Sequence, residues 1–111
     1  MPMPPAPKPY ELFRQRFPTV WEAYDQLGQA AHEQGPLDDK TRELIKLAFA
    51  IGAFSEGAVH SHTRKALALG ATRAEIYQVV VLALTTLGFP TTVAAMTWVD
   101  DVLGIDDQQD G

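Results

Sequence analysis

The sequence predicts an all-α fold, a helical bundle of about six helices. Three observations carry that expectation. Between the terminal segments no stretch alternates apolar and polar residues with the two-residue period of a strand; apolar residues recur at helical spacing instead. Glycine and proline punctuate the chain at Gly35–Pro36, Gly70 and Gly88–Phe89–Pro90, at intervals suited to helices. Residues that cap helix N-termini, Asp38, Ser55 and Thr72, stand just before three of the periodic segments.

Five of the first nine residues are proline, so residues 1–9 are expected to form an extended, proline-rich tail outside the core. A short first helix is expected over Glu11–Phe17. Pro18 then suits the first turn of a second helix, whose stripe is Val20, Trp21, Tyr24, Leu27 and Ala31. Gly35–Pro36 ends it. Asp38 caps a third helix with Asp39 in its first turn, where the helix dipole favours an acid, and Leu44, Leu47, Ala48 and Ile51 are its expected buried stripe. A break at Gly52–Phe54 separates it from a fourth helix, capped by Ser55 and closed by Gly70. Thr72-Arg73-Ala74-Glu75 has the Thr-x-x-Glu form of a capping box and opens a fifth helix with Ile76, Val79, Val80, Ala83 and Leu87 facing inward. After Gly88–Pro90 a sixth helix carries Val93, Met96, Trp98, Val99 and Val102. Residues 10–104 thus read as a single helical domain, followed by an acidic tail over 105–111.

Composition narrows the partners. The net charge is −5, and the nine basic residues are scattered rather than gathered into the stripe that a phosphate backbone requires, so nucleic acid is not expected. No run of apolar residues reaches the ~20 that span a bilayer, and the N-terminal segment has no apolar core of a secretory signal; no membrane association is expected. The chain has no cysteine, which suits a reducing cytoplasm and excludes disulfides and thiol chemistry. The stretch Val79–Leu84 is apolar all round its helix, more than so small a domain can enclose, and points to a homo-oligomer.

The polar residues with chemical potential gather in the third and fourth helices. Glu56 and His60 are four apart and share a helix face; His62 lies roughly 200° further round, so the three cannot converge on one ion from a single helix. A metal held by Glu56 and His60 would need a ligand from another helix or subunit, such as Glu43 or His32. Ser55 lacks the Gly-x-Ser-x-Gly elbow of a nucleophilic serine and is read as a cap. Glu43 is about ten residues before the break and His62 about eight after it. In an antiparallel hairpin, at 1.5 Å per residue, both then stand roughly 12–15 Å from the turn, at matching height. The two are expected within hydrogen-bond reach, directly or through one water, in a partly buried pocket between the third and fourth helices. A carboxylate favours protonation of an adjacent imidazole while burial opposes it, so such a pair can exchange a proton near neutral pH. The aromatic residues Trp21, Trp98, Phe49, Phe54, Phe89 and Tyr77 suit a core, an interface or the wall of an apolar ligand pocket.

The segments Thr41-Arg42-Glu43-Leu44-Ile45, His62-Thr63-Arg64-Lys65-Ala66-Leu67 and Gly70-Ala71-Thr72-Arg73-Ala74-Glu75-Ile76 resemble, in order and spacing, the core of the carboxymuconolactone decarboxylase and alkylhydroperoxidase D-like superfamily. The resemblance covers about Leu37 to Leu103. It implies an alkylhydroperoxidase D-like helical bundle that assembles as a trimer or hexamer. In the peroxidase branch a glutamate and a histidine serve a redox-active cysteine pair; Glu43 and His62 fall on the first two, but Ser55 and Ala58 fall on the cysteines. Neither replacement can be oxidised to a disulfide, so this chain is not a cysteine-dependent peroxidase. The decarboxylase branch also lacks the pair and keeps a glutamate and histidine on this helix, which Glu56 and His62 match. A decarboxylase of that kind needs cationic groups for its substrate; Arg64 and Lys65 are near in sequence without forming a basic cluster.

Three functions stay open. Glu43, Glu56 and His62 suit lyase-type acid/base catalysis on a small organic acid or lactone, with no cofactor. A non-catalytic ligand-binding or scaffolding oligomer would keep the fold and not the chemistry. A metal-binding oligomer would use the histidine-rich helix, through Glu56 and His60.

Overall fold

The computed structural model describes residues 8–104, and the expected tails fall largely or wholly outside them. The described residues form seven helices and no strand. The chain divides into two compact units, Met1–Asp39 and Lys40–Gly111.

In the first unit, α1 (Lys8–Arg16) begins three residues before the expected Glu11 and α2 (Pro18–Glu33) begins at Pro18, as its fixed φ favours. Phe17 joins the two helices, and its ring lies 5.2 Å from that of Phe13, which in turn faces Trp21 at 6.3 Å. The apolar stripe of α2 is present, yet no residue of the helix is buried, and Val20, Tyr24 and Leu27 are exposed.

The second unit holds the core. It contains α3 (Asp39–Gly52) from Lys40 onward, α4 (Glu56–Ala68), α5 (Arg73–Leu82), α6 (Leu84–Leu87) and α7 (Phe89–Leu103). α7 packs on α4, α5 and α6, and Leu47, Ile51, Val59, Ile76, Val80 and Val99 are fully buried. Arg73, at the start of α5, donates to the carbonyls of Leu103 and Gly104 at 3.1 and 2.7 Å, and Tyr77 donates to Asp100, so the end of α7 is tied to α5.

The helix boundaries follow local chemistry. Ser55 Oγ accepts the Ala58 N–H, and Thr72 with Glu75 forms the full reciprocal capping box. At the end of α4, Gly70 adopts φ +96°; the Ala71 N–H donates to Ala66 O and the Gly70 N–H to Leu67 O, the double closure of a Schellman motif. The end of α3 has the same closure: the Ser55 N–H donates to Ala50 O and the Phe54 N–H to Ile51 O. Here the left-handed position is Phe54, at φ +54°, the last residue of the expected break.

Three expectations are corrected. The single helix expected from the capping box to Leu87 is interrupted at Ala83, whose N–H donates to Val80 O before Leu87 N–H restarts the helical bond to Ala83 O. Leu87 is exposed as a result. On α3 the buried residues are Glu43, Leu47, Ala50 and Ile51, with Leu44 half-buried and Ala48 exposed. Leu47 and Ile51 of the expected stripe are buried, Ala50 replaces Ala48 and Leu44, and Glu43 is buried beside them as its expected partly buried pocket requires. On α7, Ala95 and Val99 are buried but Val93 and Met96 are exposed.

Candidate functional site

The short turn Ala53–Ser55 returns the chain from α3 to α4, and a polar contact joins the two helices. Glu43 Oε1 lies 2.8 Å from His62 Nδ1. The Glu43 side chain is 5% exposed and that of His62 21%, so the bond is shielded at the carboxylate and open to solvent at the ring. Burial pushes the Glu43 carboxyl up, but the hydrogen bond and charge of His62, together with the charges of Lys65 and Lys46, outweigh it and hold the carboxyl below its usual range.

Nδ1 of His62 is committed to Glu43, and no residue among those described hydrogen-bonds to Nε2. A carboxylate on one ring nitrogen fixes the ring plane and the tautomer, which leaves the other nitrogen available to take or give a proton. Lys65, expected near in sequence as a cation, and Lys46 both stand close enough to act on Glu43. The signal was there, since each lysine follows its partner in the pair by three residues and so shares its helix face.

Glu56, the third expected catalytic residue, is not joined to this pair. It is exposed at the start of α4, with its carboxylate 3.9 Å from His60 Nε2. His60 Nε2 is also 2.9 Å from Asp101 Oδ2 on α7. Glu56, His60 and Asp101 bring one ligand atom each to within 4.8 Å of one another. Asp101 was not expected there; it is 41 residues from His60, and nothing local to α4 announces it. Neither Glu43 nor His32 belongs to this group.

An apolar groove of about 520 Å³ lies between α3 and the α5–α6 break, walled by Leu44, Ile45, Ala48, Phe49, Val79 and Leu82 among others. It differs from the pocket expected between the third and fourth helices, and neither Glu43 nor His62 lines it. Of the aromatic residues in this unit, Phe49, Phe54 and Phe89 are exposed, while Tyr77 and Trp98 pack against the core.

The model of the carboxymuconolactone decarboxylase family matches residues 18–101. The chain belongs to this family. A crystal structure of an apo carboxymuconolactone decarboxylase family protein from Legionella pneumophila superposes with a TM-score of 0.73 at 30% identity, over 85% of this chain and 84% of that one. Among curated relatives, an uncharacterized protein of Methanocaldococcus jannaschii is 29% identical over 85% of this chain and 88% of its own length. An uncharacterized protein of Haemophilus influenzae is 45% identical over 56 residues. The chain spans about half the length of that relative, 49%.

As a carboxymuconolactone decarboxylase family member, the chain is all-α and carries no cysteine at all. The two positions that the resemblance aligns with redox cysteines have other uses here: Ser55 caps α4, and Ala58 supplies the N–H that the cap accepts. No helix among the described residues is long and apolar enough to cross a membrane.

Proposed function

We propose that this family member is an acid/base enzyme acting on a small organic acid or lactone, with His62 transferring the proton and Glu43 positioning it. The observation that supports this reading is the 2.8 Å contact between Glu43 Oε1 and His62 Nδ1, which leaves Nε2 without a hydrogen-bond partner among the described residues. Nε2 takes a proton from the carbon next to a substrate carbonyl, and the electron pair of the broken C–H bond moves to the carbonyl oxygen as an enolate. In the decarboxylating direction the C–C bond to the departing CO2 supplies that electron pair, and protonated His62 returns a proton to the carbon. Lys46 and Lys65 offer positive charge for a substrate carboxylate or the enolate oxygen. Glu56 takes no part in this step.

The test is proton exchange. The protein is incubated in D2O with a panel of small lactones and oxo acids, and each substrate is followed by NMR for deuterium uptake or loss of CO2. Turnover is expected for at least one compound. His62→Gln should lower it by ~10²-fold or more, the usual range for a general acid/base. Glu43→Gln keeps the shape but removes the charge that orients the ring, so kcat should fall with KM nearly unchanged. A panel with no exchange, or His62→Gln with full activity, would defeat the reading.

Assembly into a homo-oligomer, a trimer or hexamer, is part of the same proposal. It is supported by the apolar groove and by exposed Val81 and Leu82 on α5, which a second copy of the chain would cover. Action in the cytoplasm is also part of it, supported by the cysteine-free composition.

A further inference from the structure

The second polar cluster lies on another face of α4. His60 and His62 are two residues apart, so their side chains leave the helix in nearly opposite directions. His62 meets α3 through Glu43, and His60 meets α7 through Asp101. We infer that Glu56, His60 and Asp101 form a binding site for a divalent transition-metal ion, separate from the Glu43–His62 pair and independent of the reaction assigned to it.

Donor chemistry and geometry carry this. The set is one imidazole and two carboxylates. With the imidazole neutral, the two negative charges match a divalent cation, and the nitrogen favours a borderline metal such as Zn²⁺ over Mg²⁺ or Ca²⁺. Bonds of about 2.0–2.2 Å at tetrahedral angles place donor atoms roughly 3.4 Å apart. The observed separations bracket that value, from 2.9 Å between His60 and Asp101 to 3.9 Å between His60 and Glu56, with every pair inside 4.8 Å.

The frame that holds the donors is fixed. Glu56 and His60 are successive-turn neighbours on one helix. Asp101 comes from α7, the helix against which α4 packs most extensively. The end of α7 is anchored in turn by Arg73 at Leu103 and Gly104 and by Tyr77 at Asp100, on either side of Asp101. The His60 side chain is 23% exposed and the two carboxylates more than half exposed, so the ring is held in place while the ion's approach is open. Three protein donors leave the remaining coordination to water or a small ligand, the pattern of an open rather than a closed site.

The experiment is titration of the full chain, with any polyhistidine tag removed, using Zn²⁺ alone and following heat of binding. Saturation at one ion per chain is expected. His60→Ala and Asp101→Asn should each weaken binding by at least ~10-fold, the lower end of what even outer-shell changes cost a metal site. Glu56→Gln should weaken it as well, whereas His32→Ala and His62→Ala should leave it unchanged. Asp101→Asn keeps the side-chain volume and one acceptor, so it remains informative if His60→Ala folds poorly. Co²⁺ in place of Zn²⁺ gives a second readout, a visible d–d band that disappears in Asp101→Asn. The inference is overturned by the absence of saturable binding, by binding that survives both His60→Ala and Asp101→Asn, or by a preference for Mg²⁺ over Zn²⁺. Loss of Zn²⁺ binding in Asp101→Asn with proton exchange by His62 intact would show that the two sites stand or fall separately.

Discussion

At Glu43 two effects oppose each other. Burial disfavours the charged carboxylate, while the hydrogen bond from His62 and the positive charges of His62, Lys65 and Lys46 favour it, and the balance leaves the carboxyl below its usual range. The linkage has a definite sign. A carboxyl whose folded-state pKa is depressed binds its proton more readily in the unfolded chain, so the stability it contributes is fully present above the unfolded value. That contribution is lost as pH falls from the usual carboxylate range through the lower folded value. Denaturant melts from neutral pH downward should therefore show the wild type losing stability in that acid window, with Glu43→Gln losing less because glutamine does not titrate. Equal slopes for the two proteins would mean that the pair contributes nothing to the pH dependence. Glu43→Ala should cost about 1.5–3 kcal/mol at neutral pH, the range for losing a hydrogen bond to a charged group. The pair itself was legible in the sequence, because a short turn between two helices fixes the height of each residue along the hairpin. Its lysines were legible in principle through the three-residue spacing. Asp101 was not, since a contact across 41 residues depends on how α7 is laid against α4.

The same division between local and distant causes runs through the helices. The Ser55 cap, the Thr72–Glu75 capping box and the Gly70 stop were all legible, because each is set by residues within one turn of the boundary. The buried face of α3 was legible only in part: Leu47, Ile51 and Glu43 turn inward as expected, but Leu44 and Ala48 are as apolar as a core stripe and only the packing of other helices decides that Ala50 is buried instead. The end of α3 falls at the break expected over Gly52–Phe54. Within that break the left-handed position is taken by Phe54, at φ +54°, and not by the glycine. A non-glycine residue pays roughly 1–2 kcal/mol for that conformation. Phe54 recovers part of it through an edge-on contact with Trp98, with ring centroids 4.9 Å apart. Aromatic pairs of this kind contribute about 0.5–1.5 kcal/mol beyond burial. Two substitutions separate the effects. Phe54→Ala loses the ring and keeps the strain; Phe54→Gly loses the ring and relieves the strain. Chemical denaturation should find Phe54→Gly more stable than Phe54→Ala by about 1 kcal/mol. The reverse order would mean that the left-handed turn carries no strain.

For the whole molecule, the second unit exposes several large apolar side chains. Phe49 is 71% exposed, Val81 61% and Leu82 59%, and Phe49 and Leu82 stand on opposite walls of the groove between α3 and the α5–α6 break. This is where the all-apolar run Val79–Leu84 leads: Val80 and Ala83 face the core, and the intervening residues do not. Burying a large apolar side chain is favourable by about 1.5–3 kcal/mol, so a few such residues covered by a second copy offset much of the entropy lost on association. Light scattering at micromolar concentration should accordingly give a multiple of the 12.2 kDa chain mass. Each copy carries a net charge of −5, so mutual repulsion opposes assembly; added salt should screen it and shift the population towards the larger species. Phe49→Glu and Leu82→Glu place a charge where the single chain is already open to solvent. Each should therefore release the monomer while the helical circular dichroism is retained. A wild type that scatters as one chain at every salt concentration would remove the oligomer from this picture, and the groove would then be left open for a small apolar ligand.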